Sequence, residues 1–556
     1  MDGRSINAVY SIPHACQVHS FATTNSPAHL YTGGQDGFVR RYNLAATLTP
    51  SADPPPNLTM KQQQHLGPPP LVPAAGTPVL AGYWENEDPP PANSSEPDPP
   101  KWGTKATANA PQSAVYSLAV NSTELWGLSG TSKGSINLFT IRHDQGQIRH
   151  VFKPDLTPPS SSSSSSSSPR GHAPTSPVSV LTLDRAEKSF LSGGWDGRIF
   201  DWDLDTGKVK QAFLSNGSRR QISSISYRPT SATATTTPKG QSSVPPSSST
   251  TTTVTEDQDA EGEPDEDVEM DADGEVDDTL APPASSSLPA APLEDPADTI
   301  PLVGGPPPPG DDDVFLSTSL DGLVLVWDKR IGAASSSASA SGSSSSTTPR
   351  GVVHKFDDFG NELDRLGLGG GGPPAAPAPA DADSVPRKRS TAARGRDKWS
   401  TAACWSPSGD KVYVARHASV FSCYDLRRGG TGAGAGAAAE PVATYALPRS
   451  TGPITTIRAL ATTGGNAVVT GSWDCVRVWD LDRARPFERG ERRRLLSSSS
   501  SSAAGGVRVV GGGHYGGTLS SLHVDPSEQW MFTTSGTRGW DGNATENLII
   551  HEIVKT

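Results

Sequence analysis

The sequence predicts an all-β chain, a single β-propeller of seven blades carrying long disordered inserts, on three observations. One short hairpin plan recurs along the chain, a strand-like run precedes each copy, and the stretches between copies are compositionally biased. The clearest copy, Leu191 to Leu204, reads LSGGWDGRIFDWDL. Asp196-Gly197 between two strand-like runs is a hairpin signal, because a type I′ turn needs φ > 0 at both central positions. The copy closes on Trp202-Asp203.

In chain order the hairpins lie near 30–44, 125–141, 190–204, 314–328, 411–426, 468–481 and 530–554. The first has Asp36-Gly37 at its turn and ends in Tyr42-Asn43; the second has Lys133-Gly134. The fourth, VFLSTSLDGLVLVWD, places Asp321-Gly322 in the turn and Trp327-Asp328 at the end. The fifth keeps two alternating strands and Tyr424-Asp425. In the sixth, Asp474 is followed by Cys475, and Trp479-Asp480 closes the copy. The seventh has a longer turn around Asp541-Gly542 and a last strand at Asn547 to Val554. With the Trp-Asp ending, these units resemble WD repeats, four-stranded blades of about 40–45 residues. Seven falls within the usual range for a propeller.

The preceding runs are Val18–Ala22, Val115–Val120, Val178–Leu183, Ile222–Tyr227, Ala402–Trp405, Ile454–Leu460 and Leu519–Val524. They supply a first strand to each blade. A lone blade cannot bury both faces, so neighbours must stack, with Trp202, Trp327 and Trp479 as packing anchors. The seventh copy ends in its third strand, and an open ring would leave an unpaired edge. Asn7 to Ile12 is therefore expected to supply the missing strand and close the ring.

Composition supports one propeller interrupted by inserts. Of 556 residues, Gly accounts for 56 and Pro for 51, and much of the polar excess sits in blocks. The ranges are 45–78 (Pro-rich), 154–173 (Ser-rich), 229–311 (acidic), 331–350 (Ser-rich), 361–396 (Gly/Pro-rich, then basic), 429–440 (Gly/Ala) and 484–508 (Arg/Ser-rich). Such segments lack the apolar surface to pack. Glu256 to Asp278 holds 14 acidic residues without Lys or Arg, and the whole chain has a formal charge of −12. The rest is therefore near neutral, which argues against direct, specific DNA binding. The acidic block is a candidate contact for a basic partner. It is not a calcium loop, since Leu280 stands where the loop's closing Glu is required. Arg387-Lys388-Arg389, with Arg394, Arg396 and Lys398, reads equally as a nuclear import signal or a solvated loop.

No catalytic, cofactor or metal constellation stands out. The four cysteines lack CxxC or Cys/His metal spacing, and there is no HExxH or GxSxG. No apolar run is long enough to span a bilayer, and no leader sequence is evident, so a reducing interior without membrane contact is expected. No small-molecule substrate is implied.

WD repeats link a Gly-His before the first strand to a strand Ser/Thr, the turn Asp and the Trp. The matching residues here are His172, Ser192, Asp196 and Trp202, a structural set; His514 lacks a complete one because its blade has no Trp-Asp ending. The residue before the turn Asp tends to reach the top face of such propellers: here Gln35, Trp195, Leu320 and Trp473. Exposed Trp beside Arg, as in Trp195 with Arg198 and Trp473 with Arg477, is hot-spot composition. Coverage of the blade edge is the plain alternative.

Several stretches are more distinctive: TGGQDGFVRRYNL from Thr32, the inter-blade LAGYWENE from Leu80, SINLFTIRHDQGQIRHVFK from Ser135 and GTR before WDGN from Gly536. They resemble the WD-repeat subunit of the fungal SAGA transcription coactivator. The resemblance covers the blades and none of the inserts. It implies a nuclear, non-enzymatic scaffold without cofactor, whose partners are TATA-binding protein and other coactivator subunits. The family's acidic N-terminal tail has no counterpart here. Tyr83-Trp84-Glu85-Asn86-Glu87 is read as the fourth strand of blade one, with a partner anchor as the alternative. A generic WD adaptor, such as a substrate receptor of a ubiquitin ligase, is the rival reading.

Overall fold

The computed structural model describes residues 4–25, 27–48, 78–88, 111–153, 171–214, 220–229, 310–333, 351–356, 396–427, 440–447, 451–461, 466–473, 475–487, 506–510, 514–540 and 542–555. The chain opens with β1 (Arg4–Pro13), which belongs to the last blade. Blade one is β2 (Val18–Thr23), β3 (His29–Gly34), β4 (Phe38–Asn43) and β5 (Leu80–Glu85). Blade two is β6 (Leu118–Val120), β7 (Trp126–Gly130), β8 (Ile136–Thr140) and β9 (Ile148–Phe152). Blade three is β10 (Val178–Leu183), β11 (Ser189–Gly194), β12 (Arg198–Asp203) and β13 (Val209–Leu214). Blade four is β14 (Ile222–Pro229), β15 (Gly310–Ser319), β16 (Val324–Asp328) and β17 (Val352–Phe356). Blade five is β18 (Ser400–Trp405), β19 (Lys411–Arg416), β20 (Val420–Asp425) and β21 (Ala443–Ala446). Blade six is β22 (Thr456–Leu460), β23 (Ala467–Gly471), β24 (Val476–Asp480) and β25 (Val507–Val510). Blade seven takes β26 (Leu519–Val524), β27 (Trp530–Ser535) and β28 (Asn547–Lys555), with β1 as its outer strand.

Seven antiparallel four-stranded sheets result, and the first strands β2, β6, β10, β14, β18, β22 and β26 neighbour one another in a closed ring. Only two single-turn helices are described, α1 (Leu44–Leu48) and α2 (Lys329–Ala333). The turns are not the expected type I′: the turn glycines take positive φ but Asp36, Asp196 and Asp321 do not, because each turn closes one residue earlier, with Gly37, Gly197 and Gly322 donating to the carbonyls of Gly34, Gly194 and Ser319. Gly197 and Gly322 sit at φ 73° and 97°. The Asp before each accepts a backbone N–H two residues on, from Arg198 at 3.1 Å and Leu323 at 3.1 Å. Asp36 does the same for Phe38 at 3.2 Å. Asp474 lies outside the described residues.

The core is divided among the junctions between blades. Trp202 of β12 stacks on Phe190 of its own blade and meets Phe152 of the preceding blade edge-on at 5.4 Å. The same junction recurs as Trp327 against Phe213 (5.4 Å), Tyr424 against Phe356 (4.5 Å) and Trp479 against Tyr445 (5.9 Å). An aromatic on the third strand of one blade thus covers an aromatic on the fourth strand of the blade before it. Each such ring removes large apolar area from water, which is why the repeats hold together as neighbours.

Ring closure follows the sequence expectation, over a slightly longer strand. β1 pairs antiparallel with β28 in the register Ile6↔Ile553 and Ile12↔Leu548. Ile6, Tyr10 and Ile12 are buried, while a register shift between Ala8 and Tyr10 turns Val9 outward.

Two first strands are shorter than the runs that announced them. Val115 is buried but donates its N–H to Gly34 O in blade one (3.0 Å), so it ties two blades instead of extending β6. Ile454 likewise accepts from Thr401 Oγ1 in blade five, ahead of β22. The Leu80–Glu85 stretch is the fourth strand of blade one, paired with β4. Elements also reach into the ranges read as inserts. α1 occupies the start of 45–78 and α2 the start of 331–350, β15 begins at Gly310, and β25 begins at Val507. Ala484 is buried in the core between blades five and six, and His172 is buried at the end of 154–173. The interiors of those ranges, with the acidic block and Arg387-Lys388-Arg389, lie outside the described residues.

Candidate functional site

The polar sets inside the blades come first, because they fix the loops that carry the candidate site. In blade three His172 Nε2 lies 2.8 Å from Ser192 Oγ, and Trp202 Nε1 donates to the same oxygen at 2.8 Å. His172 Nδ1 reaches Asp196 Oδ1 at 3.2 Å, and Asp196 Oδ2 accepts the Ala173 N–H at 2.9 Å. Burial opposes the Asp196 carboxylate, but its bonds to His172 and two backbone amides outweigh that and hold its pKa below the ordinary value.

Equivalent sets occur where the sequence signal was incomplete. In blade one His14 bonds Thr32 Oγ1 (3.0 Å) and Tyr42 Oη (3.3 Å), so tyrosine stands in for tryptophan. In blade seven His514 bonds Thr533 Oγ1 (2.9 Å), and His551 bonds the same hydroxyl (3.0 Å). As expected, blade seven lacks the full set: His551 stands where the tryptophan would, and Thr545 Oγ1 meets His514 Nδ1 at 3.3 Å in place of the turn Asp. Blade two uses Asn86, which donates to the carbonyls of Ser113 and Gly130 and accepts from Ser129 and Asn137. Blades four and six keep the Trp bond, Trp327 to Ser317 at 2.8 Å and Trp479 to Thr470 at 2.9 Å. The closing Asp caps the next turn. Asp203 accepts from the amides of Asp205 and Thr206, Asp480 from that of Asp482, and Asp328 grips Arg330. All of these bonds run within or between blades. Among the described residues no group of three or more His, Cys, Asp or Glu is placed to hold a metal, and Cys404 and Cys423 are buried in β18 and β20.

The top face is the one bearing the turns between second and third strands. Of the residues expected there, Gln35 is exposed and meets His19 Nε2 through its side-chain oxygen. Trp195 and Trp473 are half-buried. Trp195 packs on Tyr116 at 5.5 Å, and Trp473 lies flat against Gly452, where a Cβ would meet its ring at 2.3 Å. Arg198 is half-buried, its Nε 3.9 Å from Asp196. Two residues differ from expectation. Leu320 is buried, drawn in by its N–H bond to Gln221 O at 3.0 Å. Arg477 is buried on β24, where its guanidinium bonds Ser472 Oγ at 3.0 Å, so it does not form an exposed pair with Trp473.

The sequence reading noted the long turn of blade seven but not where it goes. Residues 537–540 reach across the ring from blade seven to blades one, three and four. Thr537 bonds Gln17 Oε1 of the blade-one approach through both N–H (3.2 Å) and Oγ1 (3.0 Å). Trp540 Nε1 donates to Gln221 Oε1 before blade four at 3.1 Å. Arg538 Nη2 donates to Ser179 O of blade three (3.2 Å) and Ser223 O of blade four (3.3 Å), with its guanidinium 5.0 Å from the Trp540 ring centroid. Gly539 lies against Trp195. One loop thus braces blades one, three and four from blade seven. Burial lowers the Arg538 pKa to about 10, and its charge adds to the burial that lowers His19.

On the opposite face a cavity of about 300 Å³ opens between blades four and five, beside Arg228, Trp405, Asp410 and Arg427. Its arginines are engaged: Arg228 with Gly409 O (2.8 Å) and Asp410 (3.8 Å), Arg427 with Asp410 (3.1 Å).

Comparison with known proteins agrees with this architecture. A family model described as the SPT8 beta propeller matches residues 4–350 and 386–554. The SAGA complex subunit Spt8 of Schizosaccharomyces pombe is 28% identical over 98% of this chain and 78% of its own length. The SAGA complex subunit SPT8 of Saccharomyces cerevisiae is 27% identical over 99% of this chain and 73% of its own length.

Proposed function

We propose a function from the premise that the chain belongs to the SPT8 β-propeller family: it is a subunit of a SAGA-type transcription coactivator in the nucleus. There it serves as a rigid, non-enzymatic scaffold that holds TATA-binding protein and regulates its delivery to promoters. The observation that carries the reading is the family match through all seven blades, with relatives named as SAGA subunits over nearly the whole chain. Fold alone would not suffice, since propellers host many unrelated functions.

The top face suits a docking role. It combines half-buried indoles at Trp195 and Trp473 with the Arg538–Trp540 pair, the residue types that dominate interface energetics. Direct duplex recognition is not proposed, because the chain outside Glu256–Asp278 is near neutral.

The test is affinity purification of the tagged full chain from the cells that express it, followed by identification of stoichiometric partners. Coactivator subunits are expected. Recovery of cullin-type ligase components in their place would overturn the reading in favour of a ubiquitin-ligase substrate receptor.

A further inference from the structure

Among the described residues at the channel mouth, the side-chain acceptors that face the loop are taken and several donors are left over. Gln17 Oε1 is taken by Thr537 and Gln221 Oε1 by Trp540. Arg538 satisfies its two carbonyl bonds through Nη2 alone. Among the described residues, neither Nε nor Nη1 donates a hydrogen bond, and no carboxylate lies within ion-pair distance of Arg538. The indole N–H groups of Trp195 and Trp473, which flank the same loop, are buried with no acceptor among the described residues. An arginine has five donors in a fixed fork that matches a carboxylate. Held on an aromatic face and partly out of water, it gains more from such a partner than it would at an open surface.

We propose that the channel mouth is a receptor for an acidic peptide segment of a partner protein, with an Asp or Glu carboxylate seated on Arg538 between Trp540 and Trp195. The carboxylate supplies the acceptors that the described residues of the site lack. The surrounding rings of Tyr116 and His19, stacked at 4.8 Å, offer apolar surface to the neighbouring side chains of the peptide. Lys133 and Lys398, exposed on turns of the same face, add positive field for a segment carrying further acids. A nucleic-acid strand is a poorer match. Its phosphates repeat along the backbone and call for a row of cations, whereas the mouth offers one guanidinium among aromatic rings.

The loop's present contacts also make it a brace, and the brace and receptor roles make different predictions. Arg538→Gln keeps a donor for the two carbonyls and removes the charge. Arg538→Lys keeps the charge and removes the fork. The full-length chain and both variants would be panned against a displayed random dodecapeptide library. Recovered clones would then be measured by fluorescence anisotropy, alongside versions with Asp and Glu replaced by Asn and Gln.

For the parent, the recovered peptides should be rich in Asp and Glu, and amidation should weaken them at least tenfold. The preference should vanish in Arg538→Gln and be reduced in Arg538→Lys, with all three chains melting within a few degrees of one another. Acid-poor clones from the parent, or an acid preference that survives Arg538→Gln, would overturn the proposal. Displacement of the peptide by a DNA duplex at equal or lower concentration would overturn it in favour of a phosphate site. If Arg538→Gln fails to fold, the comparison of parent with Arg538→Lys decides: equal affinity for the acidic clones rules the fork out. The assay contains no TATA-binding protein, so its outcome is independent of the coactivator reading.

Discussion

At the scale of single residues, the propeller depends on hydroxyl groups that each serve two partners. Ser192 Oγ stands between His172 and Trp202, and Thr533 Oγ1 between His514 and His551. Removing such a hydroxyl strands two buried ring nitrogens, each costing about 1–3 kcal/mol when unsatisfied. Ser192→Ala is expected to lose about 2–4 kcal/mol in denaturant titration; a change under about 0.5 kcal/mol would show the set to be dispensable. The buried histidines also set an acid limit. Burial lowers His14, His514 and His523 to about 3 and His551 to about 4. The unfolded chain takes up protons at these sites below its ordinary His pKa of about 6.5, while the folded chain does not. Stability is therefore complete above about pH 6.5 and falls as pH drops toward 3, by up to about 1.4 kcal/mol per pH unit for each such histidine. His523→Gln should flatten the slope of melting temperature between pH 6.5 and 4. An unchanged slope would mean that this ring is protonated in the folded chain.

At the scale of elements, β1 carries the closure. It covers the edge of β28, and Ile6, Tyr10 and Ile12 are buried in the process. Loss of those three side chains alone removes about 5–8 kcal/mol of burial. Deleting residues 1–13 should lower the melting temperature by about 10 °C or more and promote self-association through the bared edge. A melt within 2 °C of the parent, with no oligomer by light scattering, would contradict this closure. The need for such a strand was legible in the sequence because the seventh hairpin ended without a fourth. The second and third strands of each blade were legible too, since Asp-Gly turns and Trp-Asp endings are local signals. The fourth strands were harder. β13, β17 and β21 are partly exposed, and their one informative residue is the aromatic that meets a Trp or Tyr of the next blade, while β25 has no aromatic at all. Leu320 and Arg477 were misplaced for a related reason. Spacing put Leu320 on the top face and composition put Arg477 beside Trp473, but contacts made through Gln221 and Ser472 turned both inward. The long turn of blade seven was legible but its destination was not, because Arg538 finds its acceptors 359 and 315 residues away in sequence.

At the scale of the molecule, seven sheets closed by one strand and braced by one loop make a stiff ring whose top face gathers aromatic and cationic side chains. Stiffness suits a subunit that must present a partner in a fixed orientation, because little conformational freedom is lost on binding. The long segments between strands do not enter that argument; the docking claim rests on Trp195 and Trp473. Truncating both leaves the Trp202, Trp327 and Trp479 junctions untouched, so the variant should stay folded. The measurement that bears most directly on the account is binding of purified TATA-binding protein to the full-length chain and to a Trp195→Ala/Trp473→Ala variant of matched melting behaviour. The account predicts saturable binding by the parent and at least a tenfold loss in the variant. No saturable binding by the parent, or equal binding by parent and variant, would contradict it.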